Sequence, residues 1–253
     1  LGLSGGIDSA LTLVLAVRAL GSKNVTPILM PSQFSSDHSI EDSIELCKNL
    51  KCDYHQIHIE DIFGQFEKQL SPLFLGTKFD LTEENIQSRI RGTLLMAYTN
   101  KFGSILLNTS NKSELAVGYG TLYGDMAGGI SVLGDLYKTE VFDLSRHLNL
   151  VHEIIPWNII NKPPSAELRP DQKDSDSLPD YEDLDRILKL YIEENLSPTN
   201  IIARGNNKDL VQKTIKMVNI NEYKRYQAPP ILRISDKAFG MGRRMPIVGK
   251  YLS

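Results

Sequence analysis

Two cysteines in 253 residues, Cys47 and Cys52, cannot build a disulfide framework, and their five-residue spacing does not match a zinc knuckle. They read as buried thiols of a cytoplasmic protein. Neither sign of charge is in large excess: 28 Lys and Arg stand against 31 Asp and Glu, a net charge of −3, which argues against a dedicated nucleic-acid binder. No stretch approaches the ~18 consecutive apolar residues of a membrane span, and the longest, Leu11 to Ala19, is interrupted by Arg18. The opening residues, Leu1-Gly2-Leu3-Ser4, do not form the charged start of a secretory signal. There is neither an internal repeat nor a low-complexity tract. The first residue is Leu rather than Met, which leads to the expectation of a piece of a longer chain. What is present is 41% apolar residues with 18 Gly and 12 Pro, enough for one large α/β domain or two small ones with a sizeable core.

Leu1 to Leu3 read as the end of a strand, and Ile7 to Leu20 as a helix stopping at Gly21. Val25 to Met30 is a short β-rich run. Ser36 is placed to cap a helix that contains Ser39, Ile40, Ile44 and Cys47. Tyr54 to Ile59 is a third candidate strand, Asp61 to Leu70 a helix, and Thr82-Glu83-Glu84-Asn85 the acidic start of another that runs to Phe102. Ser104 to Asn108 is again strand-like. Strands alternating with helices predict parallel pairing with right-handed crossovers, an open α/β sheet over the first 110 or so residues. Beyond Asn111 the character changes. Gly118 to Gly134 holds six glycines with little periodicity, and Lys138 to Leu148 is helical. Lys162 to Leu184 is rich in Pro and Asp, with Pro163, Pro164, Pro170 and Pro179, and suits a mobile lid. Tyr181 to Ile220 is helical, and the last thirty residues are loop-like and basic.

The strongest local signal is Ser4-Gly5-Gly6-Ile7-Asp8-Ser9, between a strand end and a helix. Two glycines let the backbone approach an anion closely, and the following helix offers its N-terminal N–H groups. The loop is neither a Walker A motif nor a dinucleotide G-x-G-x-x-G. Asp8 would repel polyphosphate unless a cation lay between them, which makes it a sensible Mg²⁺ ligand. At these residues the loop resembles the pyrophosphate loop of N-type ATP pyrophosphatases, which cleave ATP to AMP and pyrophosphate while activating an oxygen of the substrate.

Further segments narrow the resemblance. Glu84-Asn85-Ile86-Gln87-Ser88-Arg89-Ile90-Arg91-Gly92 puts Asn85, Arg89 and Gly92 near one helix face. Leu107-Asn108-Thr109-Ser110-Asn111-Lys112-Ser113-Glu114 places a carboxylate and hydroxyls just beyond a strand end, where open α/β sheets bind ligands. Tyr123-Gly124-Asp125, then Lys162-Pro163-Pro164-Ser165-Ala166-Glu167-Leu168-Arg169-Pro170-Asp171-Gln172, and finally Asn221-Glu222-Tyr223-Lys224-Arg225 follow in order. Together these resemble NAD synthetases, from the first residues to about Arg244, and most of all the synthetase domain of the glutamine-dependent form. Leu122 and Tyr223 depart from the Lys and His usual in the short ammonia-dependent form, so contacts made by those two residues are not carried over.

The resemblance implies an open doubly wound parallel sheet of the adenine nucleotide alpha hydrolase type (Rossmann-like) with a helical C-terminal part. It implies one synthetase domain over residues 1–253, with a lid at 163–180, helices in 181–253, and a glutaminase domain preceding it in a longer chain. It further implies ATP-dependent amidation of deamido-NAD to NAD through an acyl-adenylate, with Mg²⁺, and with ammonia supplied free or from glutamine. Gly2, Leu3, Ser4, Gly5, Gly6, Ile7, Asp8, Ser9, Thr109, Lys138 and Ser165 would contact ATP. Asp8 and Lys138 would be catalytic, and Asp8 and Glu114 would hold Mg²⁺. Asn85, Arg89, Glu114, Asp125 and Lys224 would bind deamido-NAD. A homodimer in the cytoplasm, with no nucleic-acid or membrane partner, is the expected setting. His38, His55, His58, His147 and His152 fall outside all of these segments and receive no role. GMP synthetases and tRNA thiolases share the loop but not the other segments, and a thiolase calls for reactive cysteines. A non-catalytic nucleotide module would show a damaged loop, whereas Ser4, Asp8 and Ser9 are all in place.

Overall fold

The structure, a computed structural model, describes residues 1–170, 172–240 and 242–247. The apolar face of α1 (Ile7–Leu20) is buried through Ala10, Leu11, Leu13 and Val14, and the helix ends where the Gly21 N–H returns to the Val17 carbonyl. β1 (Ile28–Leu29) contributes only two ladder residues, fewer than the β-rich run around it, because Pro27 and Pro31 bracket it without backbone donors. α2 (Asp37–Leu50) is capped by Ser36, whose hydroxyl accepts from the Ser39 N–H at 3.2 Å. β2 (His55–Gln56), α3 (Glu60–Leu70) and α4 (Leu81–Phe102) follow. A reciprocal pair of hydrogen bonds between Asp80 and Glu83 starts α4, and Gly103, with φ 63°, stops it.

β3 (Leu107–Asn108), α5 (Lys112–Val117), β4 (Ile130–Ser131), α6 (Lys138–Leu148) and α7 (Trp157–Asn161) complete the alternating part. β1 pairs in parallel with β2, and residues 1–3 run along its other edge through a Gly2–Ile28 bridge. β3 pairs in parallel with β4, whose Ser131 bridges in turn to Ile231. The parallel α/β architecture is therefore as expected, built on two short parallel ribbons. α1, α2, α6 and α7 share one buried core with Leu1, Leu3 and Leu29.

The C-terminal part is not one continuous helical run. α8 (Tyr181–Leu188) passes into a π turn at Lys189–Glu193, and α9 (Pro198–Ala203), α10 (Lys208–Ile220) and α11 (Glu222–Arg225) follow. Left-handed Asn195, Pro198 in the first turn of α9 and Gly205 at φ 88° punctuate it. Among the described residues no helix follows Arg225; Val248–Ser253, part of the expected helical span, lie outside them.

Candidate active site

The turn between Leu3 and α1 is folded on itself by its serines. Ser9 Oγ accepts from the Ser4 N–H at 3.2 Å and donates to the Gly6 carbonyl at 3.0 Å. Ser4 Oγ lies 3.1 Å from Ser9 Oγ and accepts from the Gly6 N–H at 3.2 Å. Gly6 occupies the N-cap position of α1 and makes no side-chain capping bond to the helix. Gly5 is required: its φ is +77°, and a Cβ there would lie 2.4 Å from the Ser39 carbonyl oxygen. The loop is thus wedged against the start of α2.

Beside it three charged side chains converge from distant parts of the chain. Lys138, the first residue of α6, is 2% exposed, and its Nζ donates to Asp8 Oδ2 at 2.5 Å and to Glu114 Oε1 at 3.3 Å. Asn111 holds the other two groups: its Nδ2 donates to Asp8 Oδ1 at 2.8 Å, and its Oδ1 accepts from the Glu114 N–H at 2.9 Å. The Asn111 N–H donates back to Glu114 Oε2, so one reciprocal cap both starts α5 and aims two carboxylates. Burial alone would depress the Lys138 ammonium, but Asp8 and then Glu114 overcome it and hold the group above the usual lysine value. Burial, then the Asp8 and Asp174 carboxylates, push Glu114 well above the usual carboxylate range despite Lys138. The cluster is short of positive charge.

That shortage is the test of a metal here. Among the described residues no group of three or more His, Cys, Asp or Glu side chains forms a metal cage. Two carboxylates sharing one ammonium do suit Mg²⁺, which takes one or two carboxylates and completes its shell with phosphate oxygens and water. The residues fit the ion.

The segment 163–180, apart from Asp171, which lies outside the described residues, forms the opposite wall of the same cavity. Pro163, Ser165, Glu167, Leu168 and Asp174 line it together with Ser4, Gly6, Asp8, Thr109, Glu114 and Lys138. Ser165 Oγ donates to the Gln172 carbonyl at 2.6 Å and accepts from the Glu167 N–H at 3.1 Å. Helix α4 fastens the wall: Gln87 Nε2 donates to the Leu168 carbonyl at 2.9 Å, and Arg169 Nε lies 3.1 Å from Glu84 Oε1. Asp174 is buried and accepts from Tyr119 Oη at 3.1 Å and Tyr181 Oη at 2.9 Å. The Tyr181 ring lies 5.2 Å from Lys138 Nζ. Arg91 adds a further cation to the lining, its guanidinium pushed down to about 10 by burial against the pull of Glu167 and Asp125.

The predicted residues therefore fall into separate groups. Gly2, Leu3, Ser4, Gly6, Ile7, Asp8, Ser9, Thr109, Glu114, Asp125, Lys138 and Ser165 line one cavity, with Gly5 in the same turn. Asn85 and Lys224 gather instead on the glycine-rich loop. Thr121 Oγ1 donates to Asn85 Oδ1 at 2.7 Å, and Lys224 Nζ donates to the Gly118 and Gly120 carbonyls at 2.8 and 2.7 Å. Asp125 joins the two groups, since its Oδ1 accepts from the Thr121 N–H at 2.6 Å. Arg89 reaches the same loop, its Nε donating to the Leu122 carbonyl at 3.3 Å, beside a groove lined by Ile62, Phe66 and Ile90. Sequence reasoning gave no role to Asn111, Tyr119, Asp174 or Tyr181. For Asn111 a signal existed: Asn-x-x-Glu is a helix-start pattern, and the Glu is Glu114. Both thiols are buried, and burial pushes Cys47 up to about 12, so thiolate chemistry is not offered there.

The sequence model of the NAD synthase family matches residues 1–228. The glutamine-dependent NAD(+) synthetase of Synechocystis sp. is 55% identical over 247 residues, covering 98% of this chain and 44% of that protein. The chain spans less than half the length of the curated relatives it matches. The glutamine-dependent NAD+ synthetase of Acinetobacter baumannii, solved in complex with ADP, is similar over 99% of this chain and 45% of its own, at 46% identity and a TM-score of 0.63. The NH3-dependent NAD synthetase of Campylobacter jejuni, solved with a nitrate ion, matches 92% of this chain and 87% of its own, at 34% identity and a TM-score of 0.70.

Proposed function

The chain belongs to the NAD synthase family, and from that membership and the geometry of the cavity we propose that it amidates deamido-NAD to NAD with consumption of ATP. In the first step a nicotinate carboxylate oxygen attacks the α-phosphorus of ATP and pyrophosphate leaves, giving an acyl-adenylate. In the second, ammonia attacks the activated carbonyl carbon, AMP leaves, and the nitrogen gives up its extra proton. The observation that carries the reading is the Asp8–Lys138–Glu114 cluster beside the serine-folded turn.

Step one brings two anions together, so its barrier is set by charge and alignment. Gly2 to Ser9 cradle the ATP phosphates at the N-terminal N–H groups of α1, the turn held in shape by Ser4 and Ser9, while Thr109 and Ser165 approach from the two walls. Lys138 is a point cation for charge developing at the α-phosphoryl group, held ready by Asp8 and Glu114. Asp8 and Glu114 are the residues that would hold Mg²⁺, which when bound neutralises polyphosphate charge. Asn85, Asp125, Lys224, Arg89 and Glu114 serve the deamido-NAD side, with the loop from Gly118 to Asp125 between them. The 163–180 segment acts as a lid that keeps water from the adenylate.

The unit works as a homodimer in the cytoplasm, on ammonia taken free or released from glutamine by a glutaminase domain. Among the described residues no helix is long and apolar enough to cross a membrane. Exchange of labelled pyrophosphate into ATP, with and without deamido-NAD, tests the assignment. Exchange is expected only with deamido-NAD present. Exchange indifferent to it, or answering only to another acid such as XMP, overturns the reading.

A further inference from the structure

Glu167 has a backbone φ of +49°, a left-handed conformation disfavoured for a residue with a Cβ and found where the surroundings over-determine it. That backbone carries the side chain to the start of α2. Glu167 Oε2 accepts from the Ser36 N–H at 3.2 Å, and Oε1 accepts from Ser36 Oγ at 3.0 Å and Ser39 Oγ at 2.7 Å. Lys162 Nζ donates to the same Ser39 Oγ at 2.8 Å. The carboxylate thus meets two hydroxyls, an N–H and the positive end of a 14-residue helix, a set suited to an ionised acceptor. Ser39 is also the residue against which Gly5 of the phosphate loop is wedged, and Ser39 and Glu167 both line the cavity. One side chain therefore ties the 163–180 wall to the helix that backs the phosphate loop.

We propose that Glu167 is the positioning residue that fastens this segment over the acyl-adenylate, so that ammonia and not water reaches the activated carbonyl. The inference rests on the synthetase reading above. Water admitted at that stage would attack the same carbonyl carbon, forming a C–O bond as the carbonyl–oxygen bond to the phosphoryl group breaks. AMP and the original carboxylate would leave, with protons passing to solvent. The net loss would be ATP and water converted to AMP and pyrophosphate, with no amide made.

Glu167→Gly and Glu167→Gln separate the fastening from the fold. Glycine adopts φ +49° without strain, so the first variant removes the carboxylate while relaxing the backbone. The second keeps the shape and one acceptor but not the charge. In the full chain, trypsin cleavage after Lys173 reports opening of the segment without reference to catalysis, the Arg169-Pro170 bond being resistant. Cleavage on the order of tenfold faster is expected for Glu167→Gly, with Glu167→Gln between it and the parent. With ATP, deamido-NAD and ammonia, the parent should form about one AMP per NAD, as the two-step chemistry requires. Glu167→Gly should form several-fold more AMP than NAD, the excess shrinking as ammonia is raised. Unchanged cleavage overturns the fastening, and faster cleavage with the AMP-to-NAD ratio still at one overturns the exclusion of water. A parent that makes neither product from deamido-NAD overturns the synthetase reading, and the fastening is then judged by the cleavage rates alone.

Discussion

Two helices, α1 and α2, begin side by side, with Gly5 of one start pressed against Ser39 of the other, and the chain treats the two starts in opposite ways. At α2 Ser36 caps the first turn, and Glu167 adds a carboxylate from 131 residues away. At α1 the serines turn inward to bond each other and the loop, and Gly6 contributes no side-chain cap. Both starts carry the same dipole and the same orphan N–H groups. The difference teaches that what such a site binds is decided by which donors the chain has already satisfied. α2 is finished internally and becomes a fixed post for the 163–180 segment. α1 has no side-chain cap of its own, which under the proposed function leaves its first turn to an anion.

The most severe test removes the first-turn carboxylate of α1 that meets Lys138. Asp8→Asn should leave the fold intact while lowering the pyrophosphate-exchange rate by on the order of 10³-fold; near-parent exchange would deny Asp8 any special part. Gly5→Ala comes next, because it forces the two starts apart at once. The positive φ and the approach to the Ser39 carbonyl should cost roughly 2–4 kcal/mol in urea unfolding, with weakened ATP binding. A silent Gly5→Ala would show that the starts are not locked together. Ser36→Ala should cost ~1 kcal/mol, a fall of roughly 2–4 °C in Tm, and should speed trypsin cleavage after Lys173.

The smallest effect is one of pH. Burial lowers the Lys162 pKa below the usual lysine value, while Glu167 and Asp42 hold it up. The unfolded chain therefore binds more protons than the native one between the lowered value and the ordinary one, so stability rises slightly with pH across that alkaline window. Glu167→Gly removes one of the supporting carboxylates and should steepen that rise. The urea midpoint followed from pH 8 to pH 10 measures it, and an unchanged slope would place Lys162 and Glu167 outside each other's influence.

Much of this arrangement was legible along the chain wherever partners are close in sequence. The bounds of α1 and α6 and the Ser36 cap follow from local periodicity and capping chemistry, and the structure has them where they are expected. Pairings across long separations were not legible. Nothing local to Glu167 says that its carboxylate meets Ser36, and nothing local to Asp174 says that it rests between Tyr119 and Tyr181. Strand lengths were over-read, since β propensity around Ile28 ignored what two prolines do to a ladder. The C-terminal part is helical as expected, but the breaks at Asn195 and Gly205 that divide it do not stand out from its apolar periodicity. Arg89 shows what a helix-face argument can do: like Asn85 it meets the glycine-rich loop, at Leu122 beside the Thr121 that bonds Asn85.

The cap on α5 has a consequence for anyone altering this protein. Asn111 serves the helix through its oxygen and Asp8 through its nitrogen. An aspartate cap is as good as an asparagine one for the helix alone, but Asn111 is fully buried between Asp8 and Glu114, so Asn111→Asp would cost stability as well. That change would trade the donor holding Asp8 for another anion at the most crowded point of negative charge in the cavity. Robustness and turnover are written into a single amide here, and one substitution would lower both.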